Sequence, residues 1–324
     1  MTNQDGFLFA FCLDGKGGGK SLAWEEIGDW APTDGTLWVH LDYRGDGARS
    51  WLEQESKIDP VLLESLTATE TRPRSDVHKN VMLGILRGVN LNPGADPEDM
   101  VSIRFWIEEN RIVTMRHRRI MALEGLRKAV EDGAGPAGSG DFLDLLADAL
   151  TARMGDVIVD IDEAFDAIEE EVLTEKSYEL RPRLANIRRS VISLRRYIAP
   201  QRDVITQIQN AKVDWLNDAG RMSLRETADR TTRFVEDLDA IRDRATVTQE
   251  ELNSSLSEQM NKTMYVLSIV AGIFLPLGLL TGLLGINVGG IPGTENPWAF
   301  AIFCVILVGV AVWQIWLFKR KKWM

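Results

Sequence analysis

The C-terminal end of this chain constrains its fold more than any other feature. No charged side chain occurs between Lys262 and Glu295, and none between Glu295 and Lys319. Within these gaps Tyr265–Gly285 spans 21 residues and Pro297–Phe318 spans 22. As helices, both are long enough to cross a hydrocarbon core of about 30 Å. Trp298 stands near one end of the pair, and Trp313, Trp316 and Trp323 near the other, as interfacial aromatic belts require. Lys319, Arg320, Lys321 and Lys322 follow the second span and place the C-terminus in the cytoplasm by the positive-inside rule. Two spans return the N-terminal part to that same side. The early apolar run Phe7–Leu13 is short and follows Asp5, so it reads as a strand and not as a signal peptide.

Composition alone hides this. A chain with 45% hydrophobic residues passes for an ordinary soluble protein. The formal net charge is −11, and the acidic excess lies upstream of the spans; beyond Lys262 there is one acid, Glu295, against four bases. An acidic body repels nucleic-acid phosphate and raises the local concentration of cations, which argues against a nucleic-acid partner. The two cysteines, Cys12 and Cys304, lie in an expected strand and an expected span, so no disulfide framework is implied.

Alternating or β-branched runs predict strands at Phe7–Leu13, Thr36–Asp42, Val77–Asn90, Val101–Glu108 and Arg111–Arg116. Helical stretches are expected at Ser50–Glu55 and Pro60–Thr69. Together they make residues 1–135 an α/β domain. The Gly-rich run Gly133–Gly140 reads as a linker, after which Asp141 caps a helix reaching about Thr174. Ile158, Ile161, Phe165, Ile168 and Val172 form a seam matched by Leu184, Ile187, Val191, Leu194 and Ile198, which predicts an antiparallel helical hairpin over 136–199. Its first arm carries Asp156, Asp160, Asp162, Glu163, Asp166, Glu169, Glu170 and Glu171; its second is basic, with Arg188, Arg189, Arg195 and Arg196. Pro200 is suited to the first turn of a new helix, so a stalk is expected over 200–264, with a weakly apolar inner stripe at Leu238, Ile241, Ala245, Thr248 and Leu252. The first span (265–285), an external loop (286–296), the second span (297–318) and a basic tail (319–324) complete the chain.

Enzymatic chemistry finds little support. Asp14-Gly-Lys-Gly-Gly-Gly-Lys-Ser21 resembles a phosphate-binding loop but has Asp14 where that loop needs glycine, so it reads as a flexible strand-to-helix turn. Only His40, His78 and His117 are available, without zinc-site spacing or a nucleophile–base pattern. His40 and Asp42, on one strand face, are the sole suggestive pair. No enzyme and no permanently bound cofactor is expected.

The end of the first span carries the specific signal. Gly285-Ile286-Asn287, before a short loop holding Glu295, resembles the G-M-N signature of the CorA metal-ion transporter superfamily, in the G-I-N form of its ZntB zinc-transporter branch. The run 265–277, Glu70-Thr-Arg-Pro-Arg74, the segment Asn92–Met100 and Leu194–Pro200 are similar to that branch as well. The resemblance implies a homopentamer in the bacterial inner membrane, with a cytoplasmic α/β funnel and the first span lining a pore. Helical spacing back from Asn287 then sets Met264, Leu267, Ala271, Leu275, Gly278 and Thr281 or Gly282 toward the axis. Most of these side chains are apolar or small, so a bare ion would find no ligands there; the cation is expected to keep its water, and Asn287 to bind metal through hydration water as a ring at the mouth. Glu295 would form an external acidic ring, and Lys319–Lys322 a cytoplasmic basic ring facing the acidic hairpin. As glycine follows Asn287 closely, that residue also suits a helix C-cap. The cargo implied is Zn2+, taken up with protons, with Cd2+, Ni2+, Co2+ or Mg2+ as further candidates. A magnesium or cobalt channel of the same architecture, zinc efflux, and a membrane-anchored metal sensor stay open as alternatives.

Overall fold

The computed structural model describes residues 5–68, 72–174, 178–285, 293 and 296–321. Phe7–Leu13 (β1), Thr36–Asp42 (β3) and Arg111–Arg116 (β7) form as their alternation predicts, and Val101–Ile107 (β6) ends one residue early. With Gly19–Leu22 (β2), Arg74–His78 (β4) and Val81–Gly88 (β5) they build a seven-stranded sheet in the order β2-β1-β3-β7-β6-β5-β4. Every pairing is antiparallel except β3 with β7.

Two expectations are corrected in this sheet. Val77–Asn90 is not one strand but a hairpin, closed by Lys79 and Asn80 at φ of 49° and 58°. Two successive positive φ values suit a tight hairpin turn, usually signalled by glycine, which is missing here. The turn is held instead from outside, by Asp214 N–H donating to Asn80 Oδ1 at 2.8 Å and Trp215 Nε1–H to its carbonyl at 2.8 Å. Likewise the loop after Asp14 leads into strand β2 and not a helix. Asp14 Oδ1 accepts from the Lys16 and Gly18 amides at 2.7 and 3.0 Å, so the carboxylate fills the place a phosphate would take.

Helices cover both sheet faces. Asp46–Gln54 (α1) and Pro60–Thr67 (α2) bury Trp51, Leu52, Leu63 and Leu66 in a core with Ala10, Leu37, Val39 and Leu41. On the alternate strand positions, Phe9 and Trp38 pack edge to face at 4.9 Å, and Trp38 meets Phe142 at 4.9 Å. Phe142 belongs to α4 (Ser139–Thr174), which follows α3 (Met121–Glu131). Helix α3 was not foreseen, although Ala122, Leu123, Leu126 and Val130 form its buried stripe.

The Gly133–Gly140 run is tied down and is no free linker. Gly135 N–H donates to Gly17 O at 2.7 Å, and Ser139 Oγ–H reaches the carbonyls of Glu108 and Glu109 at 2.6 and 2.9 Å. Helix α4 therefore starts two residues before Asp141, whose carboxylate caps the Ala137 amide from inside the first turn. It pairs with α5 (Leu180–Gln209) along the expected seam: Phe165, Ile168, Leu184, Val191, Leu194 and Ile198 are buried, while Ile161 and Ile187 are half-buried.

Pro200 does not open a new helix but sits inside α5. Gln201 next to it accepts from the Arg87 amide at 2.6 Å and donates to the Arg87 carbonyl at 3.1 Å, pinning this turn to the sheet. The break comes at 210–217. There Arg221 donates to the carbonyls of Gln209, Ala211 and Val213, satisfying the open end of α5. Asn217 Oδ1 accepts from the Gly220 amide at 2.8 Å and caps the next helix, α6 (Asp218–Leu284). The final helix, α7, covers Ala299–Arg320. Residues divide into two compact units, 1–175 with 179–249, and 176–178 with 250–324.

Candidate functional site

Among the described residues, α6, whose C-terminal part lies in the second unit, and α7 are the two helices long and apolar enough to cross a membrane. Their contact fixes which side of α6 is left open. Ile269, Gly272, Ile273, Leu277 and Leu280 are its half-buried positions. Gly272 permits the approach of α7, because a Cβ there would lie 2.9 Å from Phe318 Cζ. At 100° per residue, Met264, Leu267, Ala271, Leu275 and Gly278 fall on the opposite side of α6. All five are exposed, Leu275 at 71%. One face of α6 thus holds α7, and the other presents an uncovered apolar and small-residue stripe.

The stripe leads to Gly285, whose amide donates to Thr281 O at 2.9 Å and closes the helix. Ile286, Asn287, Glu295 and Lys322 lie outside the described residues. Asn296 Oδ1 accepts from the Trp298 amide at 3.0 Å just before α7. On α7, Cys304 is a half-buried free thiol, and Gln314 is buried. Gln314 is absent from the sequence expectations above, although a lone amide among apolar side chains is the signal that finds it. Lys319 and Arg320 occupy the last turn, with the Arg320 guanidinium 5.3 Å from the Trp316 ring, and Lys321 caps the helix.

The first unit shows how much of the acidic hairpin remains open. Arg244 of α6 contacts Asp162, Asp166 and Glu169 of α4 at 3.3, 2.5 and 2.6 Å, and lies 4.6 Å from the Phe165 ring. Hydrogen bonds donated to Glu169 and Asp166 hold its guanidinium above the ordinary arginine range. Arg195 forks onto Asp239 at 2.6 and 3.0 Å, keeping that carboxylate below its usual range, and Arg183 pairs with Glu171. The basic arm therefore meets α6 as well as α4. Asp156, Asp160, Glu163 and Glu170 share one helical face and have no ion pair among the described residues. No group of three or more His, Cys, Asp or Glu side chains could hold a metal among the described residues. His40 and Asp42 form no metal pair: His40 is buried against Thr114 at 2.9 Å, and Asp42 accepts from the Arg44 amide at 3.1 Å.

Arg244 is the one cation among three α4 carboxylates, and it is about 40% exposed. Arg244→Ala is expected to destabilise the first unit by roughly 1 kcal/mol, because water and salt screen a partly exposed network. Thermal unfolding at low and at high salt checks this: the gap from wild type should narrow as salt rises.

The comparisons agree with this architecture. The sequence model of the family described as CorA-like Mg2+ transporter protein matches residues 33–320. The chain is 38% identical to the divalent cation transporter CmaX of Pseudomonas aeruginosa, over 99% of this chain and 98% of that protein. It is 34% identical to the zinc transport protein ZntB of Yersinia pseudotuberculosis, over 98% and 96%. The structure of full-length CmaX superposes with a TM-score of 0.85 over 98% of both chains. The CorA magnesium transporter of Methanocaldococcus jannaschii, at 17% identity, shares the fold with a TM-score of 0.79 over 98% of this chain and 99% of that one. An α/β domain, a long helix and two apolar C-terminal helices define a membrane transporter of divalent cations and not an enzyme. The chain belongs to the CorA family.

Proposed function

We propose that this protein imports Zn2+ as a homopentamer in the bacterial inner membrane, with both termini in the cytoplasm. The observation that carries the reading is the uncovered stripe of α6 from Met264 to Gly278, turned away from α7 and leading to Gly285. Two spans cannot enclose a hydrophilic path, but five copies of this stripe around an axis can. Its side chains supply no metal ligand, so the ion travels with its water, and Asn287 hydrogen-bonds that shell. Glu295 adds an acidic ring that concentrates cations outside, and Lys319–Lys322 a basic ring inside.

Zinc is the preferred cargo because the Gly285-Ile286-Asn287 form and the 34% identity to ZntB point the same way. Selection through water discriminates modestly, so Ni2+, Cd2+, Co2+ and Mg2+ follow more slowly, and Cys304→Ser keeps activity. The expected spans hold no Asp, Glu, His, Lys or Arg. A proton that accompanies the metal is therefore carried by Glu295 or by the acidic face of α4.

Mass measurement in detergent tests the assembly and should give five copies. A stable monomer that still transports would overturn the enclosed path. For topology, Thr294→Cys should react with an impermeant maleimide in intact cells while Met324→Cys does not; the reverse labelling contradicts the orientation.

A further inference from the structure

Helix α7 is apolar along almost its whole length, yet among the described residues its one buried side chain is Gln314, 8% exposed. Val310, Ala311, Leu317 and Phe318 are half-buried beside it on the same face, and their side chains carry no hydrogen-bonding group. Gln314 Oε1 is buried without a hydrogen-bond partner. A carboxamide turned away from lipid and into an apolar helix contact is unfavourable unless the contact holds something for it to bind.

The facing helix contains such a group. Pro276 lies inside α6 and has no N–H, so the carbonyl four residues earlier, that of Gly272, loses its helical donor. Glycine puts no side chain over that carbonyl, and Gly272 is in the contact with α7, where its Cβ would stand 2.9 Å from Phe318 Cζ. Phe318 near the end of α7 thus meets the early part of the first span, so the two spans run antiparallel. One turn back from Phe318, Gln314 is level with the turn that follows Gly272, about 6 Å further along α6. The Gly272 carbonyl points into that turn, because helix carbonyls point toward the C-terminus. The hydroxyls of α6 on either side do not serve it. Ser268 is on an exposed face a turn below, and Thr281 donates to the carbonyls of Leu277 and Gly278.

We propose that Gln314 is a positioning residue whose Nε2–H donates to the Gly272 carbonyl left open by Pro276. A half-turn of the amide about its last torsion exchanges Nε2 for Oε1 in the buried place, as this bond requires. Membrane helices tolerate proline where a neighbouring helix satisfies the freed backbone group. The bond ties α7 to α6 at the proline turn, the point at which a helix bends most readily. It thereby holds the direction in which Leu275 and Gly278 continue toward Gly285. This effect on transport rests on the path proposed above; the hydrogen bond itself does not.

The test is a double-mutant cycle of Gln314→Met and Pro276→Ala in the full-length protein in detergent, read by thermal unfolding. Methionine is close to glutamine in volume and removes the donor. With the bond in place, Gln314→Met lowers the melting temperature by about 2 °C, since a buried carbonyl loses its partner. Pro276→Ala returns a backbone N–H to Gly272 and leaves Gln314 nothing to bind. In that background Gln314→Met should raise the melting temperature or leave it unchanged. A rise or no change without Pro276→Ala overturns the proposal, because an unbonded amide in apolar surroundings is better replaced by methionine. An equal fall in both backgrounds also overturns it, since packing and not the carbonyl is then responsible. Zinc uptake by proteoliposomes reads the positioning role. Gln314→Met should lower the maximal rate about threefold at unchanged KM, and an unchanged maximal rate overturns that role. The melting cycle needs no transport, so a wild-type protein that takes up no zinc refutes the proposed function alone.

Discussion

Asn287→Ala is expected to lower metal flux at least a hundredfold while the oligomer keeps its mass in detergent. A hydrated divalent ion at the mouth of the proposed path has no carboxylate in the stripe to meet it, so on that proposal the Asn287 amides are the polar contact that orders its water. Each amide–water hydrogen bond contributes about 1 kcal/mol, and five copies act together. Their sum is several kcal/mol, and every 1.4 kcal/mol is about a factor of ten. The change leaves Gly285 and its hydrogen bond to Thr281 in place, so assembly should be retained. Flux measured in vesicles alongside the mass separates the two effects. Unchanged flux would restrict Asn287 to ending the helix.

The second large effect is on stability toward acid, and it originates at His40. This side chain is 1% exposed on β3, with Nδ1 against Thr114 Oγ1 at 2.9 Å. Thr114 Oγ1–H donates to Val39 O, and Trp38 Nε1–H donates to Thr114 Oγ1, so the hydroxyl accepts the His40 Nδ1 proton and Nε2 stays bare. Burial, with Arg116 adding to it, pushes the imidazole pKa from 6.5 down to about 3. Above pH 6.5 the ring is neutral in the folded and the unfolded chain, and stability is unaffected. As pH falls toward 3, the unfolded chain takes up a proton that the folded one refuses, and stability is lost. The loss from this one group reaches about 2–3 kcal/mol near pH 4.5. His40→Gln should flatten that part of the stability–pH curve in thermal unfolding. A curve with the wild-type slope would contradict the assignment.

The chain's periodicities explain which elements are legible in the sequence. The strands β1, β3 and β7 match to the residue because alternation sets a strand's faces and turn residues mark its ends. Both membrane helices were legible because lipid tolerates no charge over their length. Several of the misreadings involve interactions distant in sequence. The Lys79-Asn80 turn lacks a local glycine and is secured by Asp214 and Trp215. Pro200 was tolerated inside α5 because Gln201 ties that turn to Arg87, while the true break had its own signal in Asn217, a good N-cap. The split of the acidic hairpin, with Arg244 holding one face and leaving another open, depends on the register between α4 and α6. No single-helix pattern encodes that. The stripe of α6 could be drawn from helical spacing alone, whereas the side taken by α7 required Gly272 and Phe318 to be seen together.

In the function proposed, this chain by itself moves zinc through a path that keeps the ion hydrated. Uptake of Zn2+ by proteoliposomes containing only the purified protein and an internal zinc-sensitive dye tests it most directly. Saturable influx is expected, faster under an inward proton gradient, slowed by excess Ni2+ or Cd2+ and only weakly by Mg2+. Zinc entry no faster than into protein-free liposomes would contradict it.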